Sequence, residues 1–118
     1  MADVSLMTDL ERTVWEWLVA HHPGAAQDCP RADILARYNI YHVKKLSDRE
    51  FRATCADLVA KFNLAICTTS GGGYYVARTP QELEHAVRDL ESRAVAILER
   101  AKALKQARPL EPQGRLFS

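Results

Sequence analysis

SDREFRATCADLVAKFNLAICTTSGGGYYVAR, residues 47–78, runs one amphipathic helix almost directly into a glycine-tipped β-hairpin. Ser47 can accept from a backbone N–H of the first turn, and Glu50 can reach back to the Ser47 amide, so the helix starts with a capping box. Phe51, Cys55, Leu58, Val59 and Phe62 recur at helical spacing and form the predicted inward stripe. Arg49, Arg52, Ala53, Ala56, Asp57 and Ala60 fall outside it. Asn63 tolerates the left-handed conformation that ends helices, residues 64–69 are rich in β-formers, and Ser70-Gly71-Gly72-Gly73 is a turn. Tyr74 to Arg78 is the return strand. The fold class this implies is mainly α with a small β-hairpin, an α+β arrangement.

Two shorter helices are expected before this stretch. Thr8 to Glu11 is another capping box, and Leu10, Val14, Trp17 and Leu18 give an apolar face over residues 8–20. His22-Pro23-Gly24 breaks that helix, and the segment to Pro30 has loop composition. Pro30 suits a helix start, with a second helix over residues 32–38 that turns Ile34 and Leu35 inward. NIYHVKKL, residues 39–46, is a turn longer than a minimal helix-turn-helix connection.

With 118 residues, the chain is one domain or a small domain with an extension. No apolar run approaches the length of a membrane span, about eighteen residues, and no charged-then-apolar start marks a signal peptide. The expected location is cytoplasmic. Cys29, Cys55 and Cys67 form no CxxC pair and are read as reduced, with Cys55 in the core. The net charge of +1 hides a segregation, because residues 1–30 sum to −4 and residues 37–61 to +3. Arg37, Lys44, Lys45, Arg49, Arg52 and Lys61 are therefore candidate phosphate partners.

After the hairpin, Thr79-Pro80-Gln81-Glu82 reads as a third capping box opening a helix over residues 80–107. Leu83, Val87, Leu90, Ala94, Ile97, Ala101 and Leu104 repeat with the alternating spacing of a heptad seam. Acids dominate its first half (Glu82, Glu84, Asp89, Glu91) and bases its second (Arg93, Arg100, Lys102, Lys105), which favours antiparallel self-association. A seam that long is expected to pair subunits in a homodimer. The alternative is burial against its own domain, at Trp15, Trp17 or Tyr75. The predicted organisation is a domain over residues 1–78, a helix and coiled coil over 79–107, and a flexible tail over 108–118.

Taken together, the helices at 8–20, 32–38 and 48–62 with the hairpin at 64–78 resemble a winged helix-turn-helix domain of the bacterial and bacteriophage kind. The DREFR start, the NLAI lead-in and the GGGYYVARTPQELE exit are similar to small phage or prophage proteins in which a winged helix precedes a long helix. The resemblance covers about residues 8–107. It implies that Arg49, Arg52 and their neighbours lie toward the major groove of DNA, and that Ser70 to Tyr74, Gly72 included, touch the backbone or minor groove. Asp57 and the small Ala53, Ala56 and Ala60 offer few base-reading groups, so contact dominated by the DNA backbone is expected.

The tail ends in QGRLFS, residues 113–118. Gln113, Leu116 and Phe117 resemble the short peptides with which bacterial replication and repair proteins bind the sliding clamp; Gly114 and Arg115 depart from that pattern. Such a tail would set the glutamine at a pocket rim and the Leu-Phe pair in an apolar groove.

Catalysis finds no constellation. His21, His22 and His42 have no companion ligands at metal spacing, Gly71-Gly72-Gly73 leads into a strand rather than a helix, and no base is placed beside Cys55 or Cys67. No cofactor, metal or enzymatic activity is expected. Two functions follow: a DNA-binding dimer serving as a transcription regulator or replication accessory, or a protein-interaction adaptor or inhibitor that uses the long helix and the tail.

Overall fold

A computed structural model describes residues 4–110 and Gly114 of the chain. After a 3-10 turn at Val4–Leu6, the elements are α1 (Asp9–His21), a 3-10 turn at Ala25–Gln27, β1 (Cys29–Pro30), α2 (Arg31–Tyr41), α3 (Asp48–Phe62), β2 (Ile66–Thr68), β3 (Gly73–Val76) and α4 (Pro80–Lys105). The chain forms two compact units, residues 1–87 and 88–118, which divide inside α4.

Both expected capping boxes form at α1 and α3. Thr8 Oγ1 accepts from Glu11 N–H at 3.1 Å, and Glu11 Oε1 accepts from Thr8 N–H at 2.8 Å. Ser47 and Glu50 repeat the exchange at 3.1 Å in each direction. Each box satisfies two of the donors that a helix start leaves open. The far end of α3 closes at Asn63, which takes the left-handed conformation (φ 54°) while its N–H reaches back to Val59 O at 3.0 Å.

The core of the first unit joins Met7, Val14 and Leu18, Ile34 and Tyr38, Leu46, and Phe51, Cys55 and Leu58. All three helices that precede the hairpin contribute, together with Met7 ahead of α1 and Leu46 ahead of α3. One expected face is corrected here. Thr54 is buried on α3, whereas Val59 is 41% exposed and Phe62 only half-buried. Spacings of three and four residues fit a stripe centred on either side of Cys55. The threonine can take the inner place because its hydroxyl donates to Glu50 O at 2.7 Å and so enters the core satisfied.

The second helix is also longer than expected, Arg31–Tyr41 rather than 32–38, with Tyr38 as its second buried anchor. The turn that follows is held by Asn39. Its side-chain oxygen accepts from Leu46 N–H at 2.8 Å and its amide nitrogen donates to Leu46 O at 3.0 Å. This two-point bracket lets a long connection remain ordered.

Where a two-stranded hairpin was expected, the sheet has three antiparallel strands in the order β1-β3-β2. β3 pairs Tyr74 with Cys29 on one side and with Thr68 on the other. Beyond β1, Pro23 bridges Val76, with Gly24 N–H donating to Val76 O at 2.7 Å. A two-residue strand carries no periodicity of its own, so only the partner on β3 reveals it. Along α4, Ala86 is buried against Cys67 and Tyr75. The element order, the sheet and the long helix make an α+β fold compatible with a winged helix.

In the second unit the helix continues to Lys105, two residues short of the expected end. Gln106 N–H to Ala103 O (3.1 Å) and Ala107 N–H to Leu104 O (3.0 Å) tighten the last turn to 3-10 geometry. An Arg93–Asp89 pair at 3.0 Å lies one turn apart on its surface.

Candidate nucleic-acid interface

The exposed side of α3 carries Arg49, Arg52, Ala53, Ala56, Asp57, Ala60 and Lys61, as the sequence implies. The cations on it are in unequal states. Arg49 is exposed and, among the described residues, is in no ion pair. Arg52 Nε sits 3.1 Å from Asp48 Oδ2 one turn earlier. Lys61 lies 3.7 Å from both Asp57 Oδ2 and Glu11 Oε2. Two of the expected phosphate partners are thus already paired with acids of the same chain, which reduces the electrostatic attraction they offer.

Glu11 is buried at the start of α1, and its carboxyl lies below its ordinary value, first because the Thr8 backbone donates to it and then through Lys61. Lys61 therefore completes a structural contact as well as facing outward.

In the turn before α3, Lys44 is exposed beside Glu50. Lys45 Nζ instead donates to Asn39 O and, at 3.0 Å, to His42 O, where it satisfies carbonyls at the end of α2. Arg37, grouped with these by charge, lines a cavity of about 390 Å³ with Trp17, His21, His22, Ile40 and Tyr41.

The tip of the hairpin is an exposed tight turn. Gly72 N–H donates to Thr69 O at 3.0 Å, Thr69 N–H to Gly73 O at 2.9 Å, and Gly72 takes a φ of 86°. That angle is why glycine is needed there. Ser70 and Gly72 are exposed; Tyr74 is half-buried, with its ring edge-on to Phe51 at 5.2 Å between centroids. Tyr74 therefore links the sheet to the core of α3 and leaves only part of its ring outside.

Sequence reading missed Arg31. At the first position of α2, its Nε contacts Asp48 Oδ1, so the single carboxylate of Asp48 holds both Arg31 and Arg52. The bond to Asp48, then the Tyr74 hydroxyl, raise the Arg31 guanidinium pKa further. The signal for Arg31 was present as an arginine after Pro30, but only the fold brings it to the start of α3.

Burial pushes the Cys55 thiol up to about 12 and raises Cys67 and Cys29 as well, so each stays protonated at neutral pH. His22 is buried, with Nδ1 3.1 Å from Gln27 O, and His42 Nδ1 lies 2.8 Å from Tyr38 O. Both act on backbone carbonyls. Among the described residues, no group of three His, Cys, Asp or Glu side chains could hold a metal ion, and no helix is long and apolar enough to cross a membrane.

The heptad positions of α4 are exposed at Leu83, Val87, Leu90, Ile97 and Leu104, and Val95 and Leu98 widen the apolar face between them. Ala94 and Ala101 are exposed on the same seam. Gln113, Leu116 and Phe117 lie outside the described residues.

Comparison with protein-family models, curated proteins and solved structures found no match to this chain.

Proposed function

We propose that this chain is a winged-helix protein that binds duplex DNA, with α3 toward the major groove, the Thr69–Gly73 turn as wing, and α4 pairing two subunits. One observation carries the reading: Arg49 stands exposed on α3, one turn from Arg52, with an exposed glycine-tipped turn in the same small unit. Such an arrangement contacts phosphates more than base edges, since the rest of that helix face is alanine and Asp57. The role is that of a transcription regulator or replication accessory, with modest sequence specificity.

The exposed aliphatic seam of α4 supports dimerisation, because large side chains left in water at heptad spacing gain burial from a partner helix. A homodimer would set two copies of α3 against two half-sites. The same seam also favours a second reading, in which α4 docks on another protein and DNA is not bound.

Binding of a mixed duplex pool across a salt series separates the two. The DNA-binding reading expects an affinity that falls steeply with salt, with a slope reduced by about one for Arg49→Ala. No binding of duplex at low salt rejects it.

A further inference from the structure

Two guanidinium groups from different elements converge on one carboxylate. Asp48 Oδ1 contacts Arg31 Nε from α2, and Oδ2 lies 3.1 Å from Arg52 Nε on α3. We propose that Arg31 and Arg52 form a phosphate clamp for the DNA backbone, and that the Asp48 carboxylate occupies it as an internal competitor when DNA is absent. This inference rests on the DNA-binding reading.

Three features support it. First, the charges do not cancel: two arginines share one acid, so the cluster keeps a net positive charge with its anion in place. Second, the groups are open to solvent, with side-chain exposures of 36% for Arg31, 45% for Asp48 and 55% for Arg52. Ion pairs at such exposure contribute little to stability, so the carboxylate can be displaced. Third, the geometry suits the ligand. A carboxylate that accepts from two guanidinium groups presents two oxygens as a phosphodiester does, and arginine forks match both. Arg31 and Asp48 sit at the first turns of α2 and α3, so a phosphate here would touch both helices at once.

Asp48 then sets the strength of binding. It lowers affinity by holding both arginines and by repelling an incoming phosphate, and it would make engagement depend on salt and on competing anions.

The test compares wild type, Asp48→Asn, Arg31→Ala and the Arg31→Ala/Asp48→Asn pair on one short duplex across a salt series. Asp48→Asn is expected to raise affinity several-fold at fixed salt and to steepen the salt slope by about one. Arg31→Ala is expected to flatten the slope by about one, and the gain from Asp48→Asn is expected to shrink in the Arg31→Ala background. The NMR signals of the Arg31 and Arg52 Nε–H groups in wild type and Asp48→Asn are followed as duplex, or inorganic phosphate alone, is added. Movement of both supports the clamp. If wild type binds duplex and Asp48→Asn leaves affinity unchanged or weakens it, the clamp is wrong while the DNA-binding reading stands. If wild type binds nothing but Asp48→Asn gains duplex binding, the clamp stands and the wild-type reading falls. Thermal melting of each variant checks folding, and the charge-conserving Arg31→Lys, expected to retain the slope but lose part of the affinity, supplies a second comparison if Asp48→Asn unfolds. Wild-type binding with an unaltered slope in Arg31→Ala overturns the proposal.

Discussion

Glu82 Oε2 accepts from the backbone N–H of Ala25 at 2.6 Å, joining positions 57 residues apart in the chain. Its other oxygen accepts from Arg78 N–H at 2.7 Å, while Glu82 N–H donates to Thr79 Oγ1 at 3.1 Å. The third capping box expected from Thr79 to Glu82 is therefore turned to a different use. The carboxylate ties the loop after α1 to the start of α4.

These hydrogen bonds, Ala25 first and Arg78 next, hold the Glu82 carboxyl below its ordinary 4.5, as the Thr8 and Ser47 amides do for Glu11 and Glu50. A carboxyl with a depressed native pKa binds protons more readily when unfolded, so its stabilisation is present above 4.5 and is lost as pH falls through the native value. Burial also lowers His22 from 6.5, which starts a separate loss below that pH. Denaturant midpoints are expected to fall in two stages, below pH 6.5 and below pH 4.5. Glu82→Gln should diminish the lower stage and His22→Gln the upper one. A midpoint flat from pH 7 to well below 4.5 would contradict both assignments.

The placement of Thr54 inside and Val59 outside is open to a direct comparison. Leu58→Ala removes a side chain with no exposure and is expected to destabilise by about 2–5 kcal/mol, with Val59→Ala below about 1 kcal/mol. Urea melts of the two variants measure the difference. Equal losses would return Val59 to the core stripe.

Gly72 and Gly73 are adjacent but needed for different reasons. A Cβ on Gly72 meets no atom within 4 Å, so Gly72→Ala is expected to lose about 1 kcal/mol from its positive φ alone. On Gly73 a Cβ would lie 2.7 Å from Asp28 Oδ2 and 3.0 Å from Thr69 Oγ1. Gly73→Ala is expected to lose about 1–3 kcal/mol by crowding. Adding Asp28→Ala should recover part of the loss at Gly73 and none at Gly72, as read by thermal melting of the double variants.

Pairing through α4 is checked by sedimentation. Wild type is expected to show a concentration-dependent dimer, and Ile97→Asp, which puts a charge on the seam, a monomer with unchanged helix content. A wild-type monomer at every concentration would remove the coiled-coil reading.

The helices were legible where the chain states its own boundaries, as at Thr8, Ser47 and Asn63, because caps are local chemistry. Periodicity gave the faces but not their centre; with spacings of three and four residues, Thr54 and Val59 flank the same stripe, and only the bond to Glu50 O decides between them. β1 was illegible since two residues have no pattern. Charge along the chain identified Arg49 and Arg52, yet it could not show that Asp48 and Asp57 pair with some neighbours, or that Arg31 joins from another helix. Those are distances in space, and sequence separation hides them.

The sheet described above also has a bearing on solubility. Its flank beyond β3 is lined by Pro23 and Pro30, neither of which has an N–H to offer a further strand. A three-stranded sheet this short, with proline along one border, resists edge-to-edge polymerisation. β-Extension is thereby disfavoured at that border, which leaves β2 as the edge a further strand could join.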